Sequence, residues 1–248
     1  MEKRVDDVVE HKPFLLWAEL LRDKVPSFEA YPFALPAVRN LEKITFHPKV
    51  TFLVGENGSG KSTLLEAIAV AWGFNAEGGN KNFGFSTRSS HSELHQSLRL
   101  ARSPRRVKNG FFLRAESFFN AATYVENIGA EGFGDRPLHE QSHGESFMAL
   151  LLHKFHGDGF FILDEPEAAL SPTRQMSALV RIHDLVQQGA QFIIATHSPI
   201  LMAYPQAQIL AIPDGELRPT AYTDTEHYRV TRRFLDRHEA MMKDLLAD

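Results

Sequence analysis

Apolar positions along this chain fall into two patterns. Short, largely apolar runs at residues 50–54, 110–115, 159–163 and 191–195 have the length and composition of strands buried on both faces. Between them lie helix-like stretches: residues 64–72, residues 145–156, where Phe147, Leu150, Leu151 and Phe155 share one face, and residues 171–188, opened by Ser-Pro. Strands alternating with helices predict an α/β fold built on a mainly parallel, doubly wound sheet.

The remaining segments read differently. Pro26, Pro32, Pro36 and Pro48 punctuate the first fifty residues, which favours short strands and turns over a long helix. Residues 34–46 predict strand, turn and strand feeding the run at 50–54, and residues 14–21 predict a short packed segment, together an N-terminal antiparallel β part. Residues 73–90, rich in Gly, Asn and Ser, predict a loop leading into a short helix from residue 91, with Leu98 and Leu100 continuing its apolar spacing. Residues 118–127 predict a helix and residues 129–134 a glycine-bearing loop. Residues 209–212 and 216–220 flank Asp214-Gly215 as a hairpin, and residues 224–246 form a helical tail. The whole, 1–248, reads as one domain, with 86–157 as a short helical insertion.

Composition narrows the class only slightly. The 248 residues carry a net charge of −4, so the molecule as a whole is no basic nucleic-acid binder. Locally, Arg88, Arg99, Arg102, Arg105, Arg106 and Lys108 stand against the single acid Glu93, as either a solvated face or a contact surface for nucleic acid or an acidic partner. No aromatic residue interleaves with them, so base stacking is not indicated. The absence of cysteine fits a reducing cytoplasm and removes thiolate chemistry. No run approaches the roughly 20 apolar residues that span a bilayer. Any membrane role therefore requires a separate subunit.

The segment after the run at 50–54 carries the chemistry. Gly55, Glu56, Asn57, Gly58, Ser59, Gly60, Lys61, Ser62 and Thr63 form G-x-x-x-x-G-K-S-T between a predicted strand and a predicted helix. The glycines let backbone N–H groups close around phosphate oxygens, and the following helix points its positive end at the anion. Lys61 then reaches the β/γ-phosphates and Ser62 ligates Mg²⁺. Asp164 and Glu165 emerge where the apolar run at 159–163 ends: Asp164 is placed to hold Mg²⁺, and Glu165 to polarise the attacking water.

These residues, together with Ser142, His143, Gly144 and Glu145 lying between the two motifs, resemble the ABC-type ATPases, over about residues 31–213. The resemblance implies a P-loop NTPase fold that hydrolyses ATP with Mg²⁺. It also implies a homodimer in which Ser142, Gly144 and the helix behind them hold the γ-phosphate of ATP bound to the other copy. Ala168 to Ser171 matches the D-loop, His197 the switch histidine that senses the γ-phosphate, and Glu116 the metal-side position of the Q-loop. Tyr31 and Phe33 are the candidates for stacking on adenine.

The chain departs from the family pattern at Glu116, His143, Glu145 and Ser171. Its D-E-P-E-A-A-L-S form looks closer to stand-alone, SMC-like and recombination-related ATPases, without room for their long coiled coil. Three functional readings follow. They are a soluble motor or switch, an energising subunit of a membrane transporter, and an ATP-gated module that recruits a nuclease or repair partner. The match of residues 139–143 to H-E-x-x-H is a chance one. A zinc site needs both histidines on one helical face, and this stretch crosses from a loop into a helix start.

Overall fold

In a computed structural model of the chain, residues 12–76, 78–79, 92–114 and 142–247 are described. The predicted helix at 118–127, the loop at 129–134, Arg88 and Glu116 lie outside them. Among the described residues the main sheet has six strands: β5 (Asn109–Arg114), β6 (Gly159–Asp164), β7 (Gln191–Ala195), β3 (Val50–Val54), β8 (Gln208–Ala211) and β9 (Arg218–Pro219), in that order. All are parallel except β9, which closes the predicted hairpin with β8.

Burial on both faces follows from period-two alternation along the strands. Phe52, Phe161, Leu163, Phe192 and Ile194 face one core with α3 (His143–His153), α4 (Pro172–Gln187) and α5 (Pro199–Met202). Leu53, Phe160, Ile162, Ile193 and Ala195 face the other, beneath α2 (Lys61–Trp72) and the N-terminal segment. Each fully buried phenylalanine contributes on the order of 2–3 kcal/mol. The sheet is thus doubly wound, as the alternation of runs predicts.

A second, three-stranded antiparallel sheet sits on the α2 side, in the order β2 (Lys43–Thr45), β1 (Leu15–Leu20), β4 (Leu98–Arg102). Gln191, fully buried at the start of β7, joins the two sheets. Its Oε1 accepts from the backbone N–H of Phe14 and Leu15 (2.8 and 2.9 Å), and its Nε2 donates to the carbonyls of Leu15 and His47 (2.9 and 3.0 Å). Every donor and acceptor of that amide which a buried site can fill is used.

Three expectations need correction. Residues 34–46 contain α1 (Pro36–Arg39) and β2, not two strands; Pro36 occupies the first helical turn, where its missing N–H costs nothing. Leu98 and Leu100 lie on β4, because pairing with β1 outweighs the local helical spacing. Residues 86–157 are accordingly not a helical insertion throughout. Their described part supplies β4 to one sheet and β5 to the other before α3 begins.

Four described residues of the basic run, Arg99, Arg102, Arg105 and Lys108, make contacts within the molecule. Arg99 pairs with Glu19 at 2.5 Å, while Arg105 and Lys108 both bind Asp158, the lysine at 2.7 Å. Their hydrogen bonds, Lys108's first, hold the Asp158 carboxyl below its usual range. Arg102 donates to the carbonyls of Ala71 and Trp72 (2.8 and 3.1 Å) at the end of α2 and stacks 4.4 Å over the Trp72 ring. These are contacts within the fold, while the side chains of Arg99 and Lys108 stay 58% and 73% exposed.

The tail is two helices, α6 (Glu226–Asp236) and α7 (His238–Leu245), separated at Arg237. Thr225 caps α6, its Oγ accepting from Tyr228 N–H at 3.4 Å and donating to the Tyr222 carbonyl at 2.8 Å. Among the described residues neither helix buries a side chain, and Val230, Phe234 and Leu235 are exposed.

Candidate functional site

Sheet register brings the predicted residues together. Leu53 pairs with Ala195, Ala195 with Asp164, and Asp164 with Arg114, so the carboxyl ends of β3, β7, β6 and β5 lie in one row. The segments leaving these ends carry the phosphate loop, His197 and Glu165. This is where ligands of open parallel sheets bind.

The phosphate loop turns from β3 into α2 through Gly58 and Gly60, both at positive φ (79° and 98°). Gly60 immediately precedes α2, and a Cβ there would be strained by the backbone and meet Leu35 Cβ at 3.2 Å. Gly55, Glu56, Asn57, Ser59 and Thr63 surround this turn. Ser59 presents its carbonyl to Ala37 N–H at 3.0 Å, which ties the loop to α1. Lys61 Nζ donates back to the carbonyls of Gly55 and Glu56 (2.7 and 2.9 Å), so the ammonium sits within the loop. Burial lowers its pKa, opposed by Glu165, Asp164, Glu56 and Glu167.

Ser62 Oγ donates to Asp164 Oδ1 at 2.9 Å. The two oxygen ligands predicted for Mg²⁺ therefore converge, and hard oxygen donors of this kind suit that ion. Arg114, unremarked in the sequence, stands behind them: NH1 pairs with Glu66 at 2.6 Å, and Nε lies 3.6 Å from Asp164 Oδ2. Glu116, the third predicted metal contact, lies outside the described residues. Among the described residues no cluster of three or more His, Cys, Asp or Glu could hold a metal unaided. That donor set fits an ion held jointly by protein, phosphate and water, and of the two histidines of the zinc-like motif only His143, the first residue of α3, lies among the described residues.

Glu165 has φ 51° and ψ 51°, the left-handed region, which costs a side-chain-bearing residue about 1–3 kcal/mol. Its N–H donates to the Ala195 carbonyl at 2.9 Å, so β7 holds the turn in place. The carboxylate Oε1 lies 3.5 Å from His197 Nε2. The two side chains leave the ends of neighbouring strands, β6 and β7, and lie side by side.

Several supporting residues escaped it. Glu167 accepts from His197 N–H at 2.5 Å and from Thr196 Oγ1 at 2.8 Å, which fixes the backbone around the histidine. Burial, the largest influence, raises the Glu167 pKa. Ser198 N–H donates to Thr196 Oγ1 at 3.0 Å, and Ser198 Oγ donates to Gln175 Oε1 at 2.5 Å, extending the chain of contacts to α4. The D-E-P-E spelling and the Ser that follows His197 were the available signals; the pairing itself is tertiary.

Ser142 and Gly144 lie at the start of α3, against the turn at Pro166–Ala169. Glu145 Oε2 accepts from Ser142 N–H and Oγ (2.8 and 2.7 Å), a capping box that glutamine could also form. Arg174 NH1 donates to Ser142 Oγ at 3.2 Å, and its NH2 lies 3.3 Å from Glu145 Oε1. A Cβ on Gly144 would meet Arg174 NH1 at 2.5 Å and the Ala169 carbonyl at 2.9 Å. Glycine there admits the guanidinium to the helix start.

Comparison with known proteins follows the same motifs. Residues 28–126 match the family described as "AAA domain", and residues 125–203 that described as "AAA domain, putative AbiEii toxin, Type IV TA system". The energy-coupling factor transporter ATP-binding protein EcfA2 of Methanospirillum hungatei is 26% identical over 82% of this chain and 57% of its own length. A nucleotide-free ATP-binding cassette from an ABC transporter superposes with a TM-score of 0.50 at 18% identity, covering 88% of this chain and 95% of that one. The chain is similar to ABC-type P-loop ATPases and shares their fold. The SMC head domain from Thermotoga maritima is also similar, with a TM-score of 0.46, 19% identity, and coverage of 84% of this chain and 99% of that one. The chain spans less than two thirds of the first curated relatives it matches, 57% and 40% of their lengths. Among the described residues no helix is long and apolar enough to cross a membrane.

Proposed function

We propose that this domain binds Mg-ATP and hydrolyses it as a head-to-tail homodimer, in which the start of α3 from one copy completes the ATP site of the other. The observation that carries this reading is the convergence of Ser62 on Asp164 at 2.9 Å beside Lys61, with Glu165 and His197 at 3.5 Å on the neighbouring strand ends.

In this reading the N–H groups of Gly55 to Thr63 and the start of α2 bind the phosphates, with Lys61 on the β/γ oxygens. Ser62 and Asp164 hold Mg²⁺, with Glu116 as a further metal-side contact. Bound Mg²⁺ would neutralise phosphate charge and orient the β/γ bond. Glu165 accepts the proton of the attacking water, and His197 donates a hydrogen bond to the γ-phosphate. Ser142 and Gly144 serve the partner's nucleotide. Tyr31, 67% exposed, is available to stack on adenine, whereas Phe33 is buried at 3% in the core.

The domain is read as a soluble, cytoplasmic motor or switch acting on an unidentified effector protein. A transporter subunit is the second reading, favoured by the transporter names of relatives such as EcfA2. A module that recruits a nuclease or repair partner is the third. ATP affinity and turnover of the wild type and Lys61→Ala test the core claim, and undiminished affinity in the variant would overturn it. Turnover with and without DNA, and recovery of membrane or soluble partners from the native cell, separates the three.

A further inference from the structure

Helix α6 reaches the switch histidine. His227, the second residue of α6, places Nε2 3.0 Å from His197 Nδ1, with the two rings 5.1 Å apart. Nothing in the sequence singled out His227, thirty residues beyond His197. The end of α6 that carries it is the anchored one: Thr225 is buried beneath it, Tyr228 packs on Tyr222 at 4.6 Å, and Tyr222 OH donates to the Pro199 carbonyl at 3.0 Å. His227 also lines a cavity of about 400 Å³ with Gly55 and Glu56 of the phosphate loop.

The contact constrains where the protons sit. A neutral imidazole has one N–H and one bare nitrogen, so one ring of the pair donates and the other accepts. If His197 donated from Nδ1, its bare Nε2 would stand 3.5 Å from Glu165 Oε1, setting one acceptor beside another. If His227 donates from Nε2, His197 carries its proton on Nε2, and that N–H edge is attracted to the carboxylate without a hydrogen bond between them. That nitrogen is buried and finds no hydrogen-bond partner among the described residues, as expected of a donor whose acceptor arrives with the ligand.

We propose that His227 is the positioning residue of His197: its Nε2–H donates to His197 Nδ1 and holds that ring in the Nε2–H tautomer. This rests on the reading of His197 as a γ-phosphate donor and adds the group that makes it a donor while neutral. A partner histidine of this kind acts as the second ligand-side contact does for metal-binding histidines, by fixing tautomer and orientation. It also makes the position of α6 part of the ATP site. Burial favours the neutral form of both rings, which keeps the single-proton arrangement in place near neutral pH.

Long-range ¹H–¹⁵N NMR of the full, ATP-free chain reads the tautomer directly, with His197 signals assigned from a His197→Asn variant. The wild type is expected to hold His197 as Nε2–H. His227→Gln, whose amide N–H can still donate, is expected to keep it, and His227→Ala to lose it. In turnover, His227→Ala lowers kcat about tenfold with KM for ATP changed less than about threefold, and His227→Gln restores most of the loss. A wild-type His197 protonated on Nδ1, or a folded His227→Ala with wild-type tautomer and kcat, would overturn the assignment. A wild type that binds no ATP would instead overturn the parent reading, and the tautomer populations would still decide the role of His227.

Discussion

Ser62 Oγ donates to Asp164 Oδ1 across 2.9 Å, joining the residue after the loop lysine to the carboxylate that ends β6. The link spans the intervening strand β7 and depends on the register Leu53, Ala195, Asp164. Asp164→Asn should therefore fold, losing about 1 kcal/mol of stability, yet lower Mg-dependent turnover by roughly 100-fold or more. Turnover across a Mg²⁺ titration checks it. A variant with wild-type turnover and Mg²⁺ dependence would remove Asp164 from the metal site.

Gln191 illustrates a residue whose importance only the tertiary structure reveals. Gln191→Leu leaves two N–H and two carbonyl groups of residues 14, 15 and 47 without their partner in a buried place. Unfolding free energy should fall by on the order of 3 kcal/mol or more, measured by urea denaturation. A loss below about 1 kcal/mol would show that the two sheets are held by apolar contact alone.

The histidine pair makes stability depend on pH. Burial, the largest influence, lowers the pKa of both His197 and His227 from 6.5; Lys61 lowers both further, while Glu56 raises both, Glu165 raises His197 and Glu226 raises His227. Below pH 6.5 the unfolded chain then binds more protons than the folded one, so this contribution is lost as pH falls towards the folded-state values. The difference in melting temperature between the wild type and a His197→Asn, His227→Gln double variant should shift against the wild type on going from pH 7.5 to pH 5.5. A constant difference would mean that the two rings titrate normally.

Much of the site was legible because its chemistry is local. The phosphate loop needs consecutive backbone N–H groups, and the Asp164-Glu165 pair needs only the end of one strand, so each is spelled in adjacent residues. Ser142 to Glu145 likewise opens a helix wherever it is placed. What stayed hidden joins distant segments: Arg114 to Glu66, Glu167 to His197, and His227 to His197 across thirty residues. The wrong readings have the same origin. Leu98 and Leu100 fit helical spacing locally, and only the pairing of β4 with β1 makes them strand.

Gly144 separates folding from assembly. In Gly144→Ala the new methyl pushes the partly exposed Arg174 outward and also presses on the Ala169 carbonyl, 2.9 Å away, so the turn at Pro166–Ala169 must give as well. The variant should stay folded with a loss on the order of 1–3 kcal/mol of stability and lose ATP-driven dimerisation. Light scattering with ATP checks this, and a normal dimer would free the start of α3 from the interface.

Glu165→Gln offers the most direct test of the composite site, since it keeps the shape of the side chain and removes its basicity. Its mass in solution with Mg-ATP, measured by light scattering after size exclusion, should move from one copy to two, with ATP unhydrolysed at the interface. A variant that binds ATP and remains a single copy at every nucleotide concentration would contradict the shared ATP site.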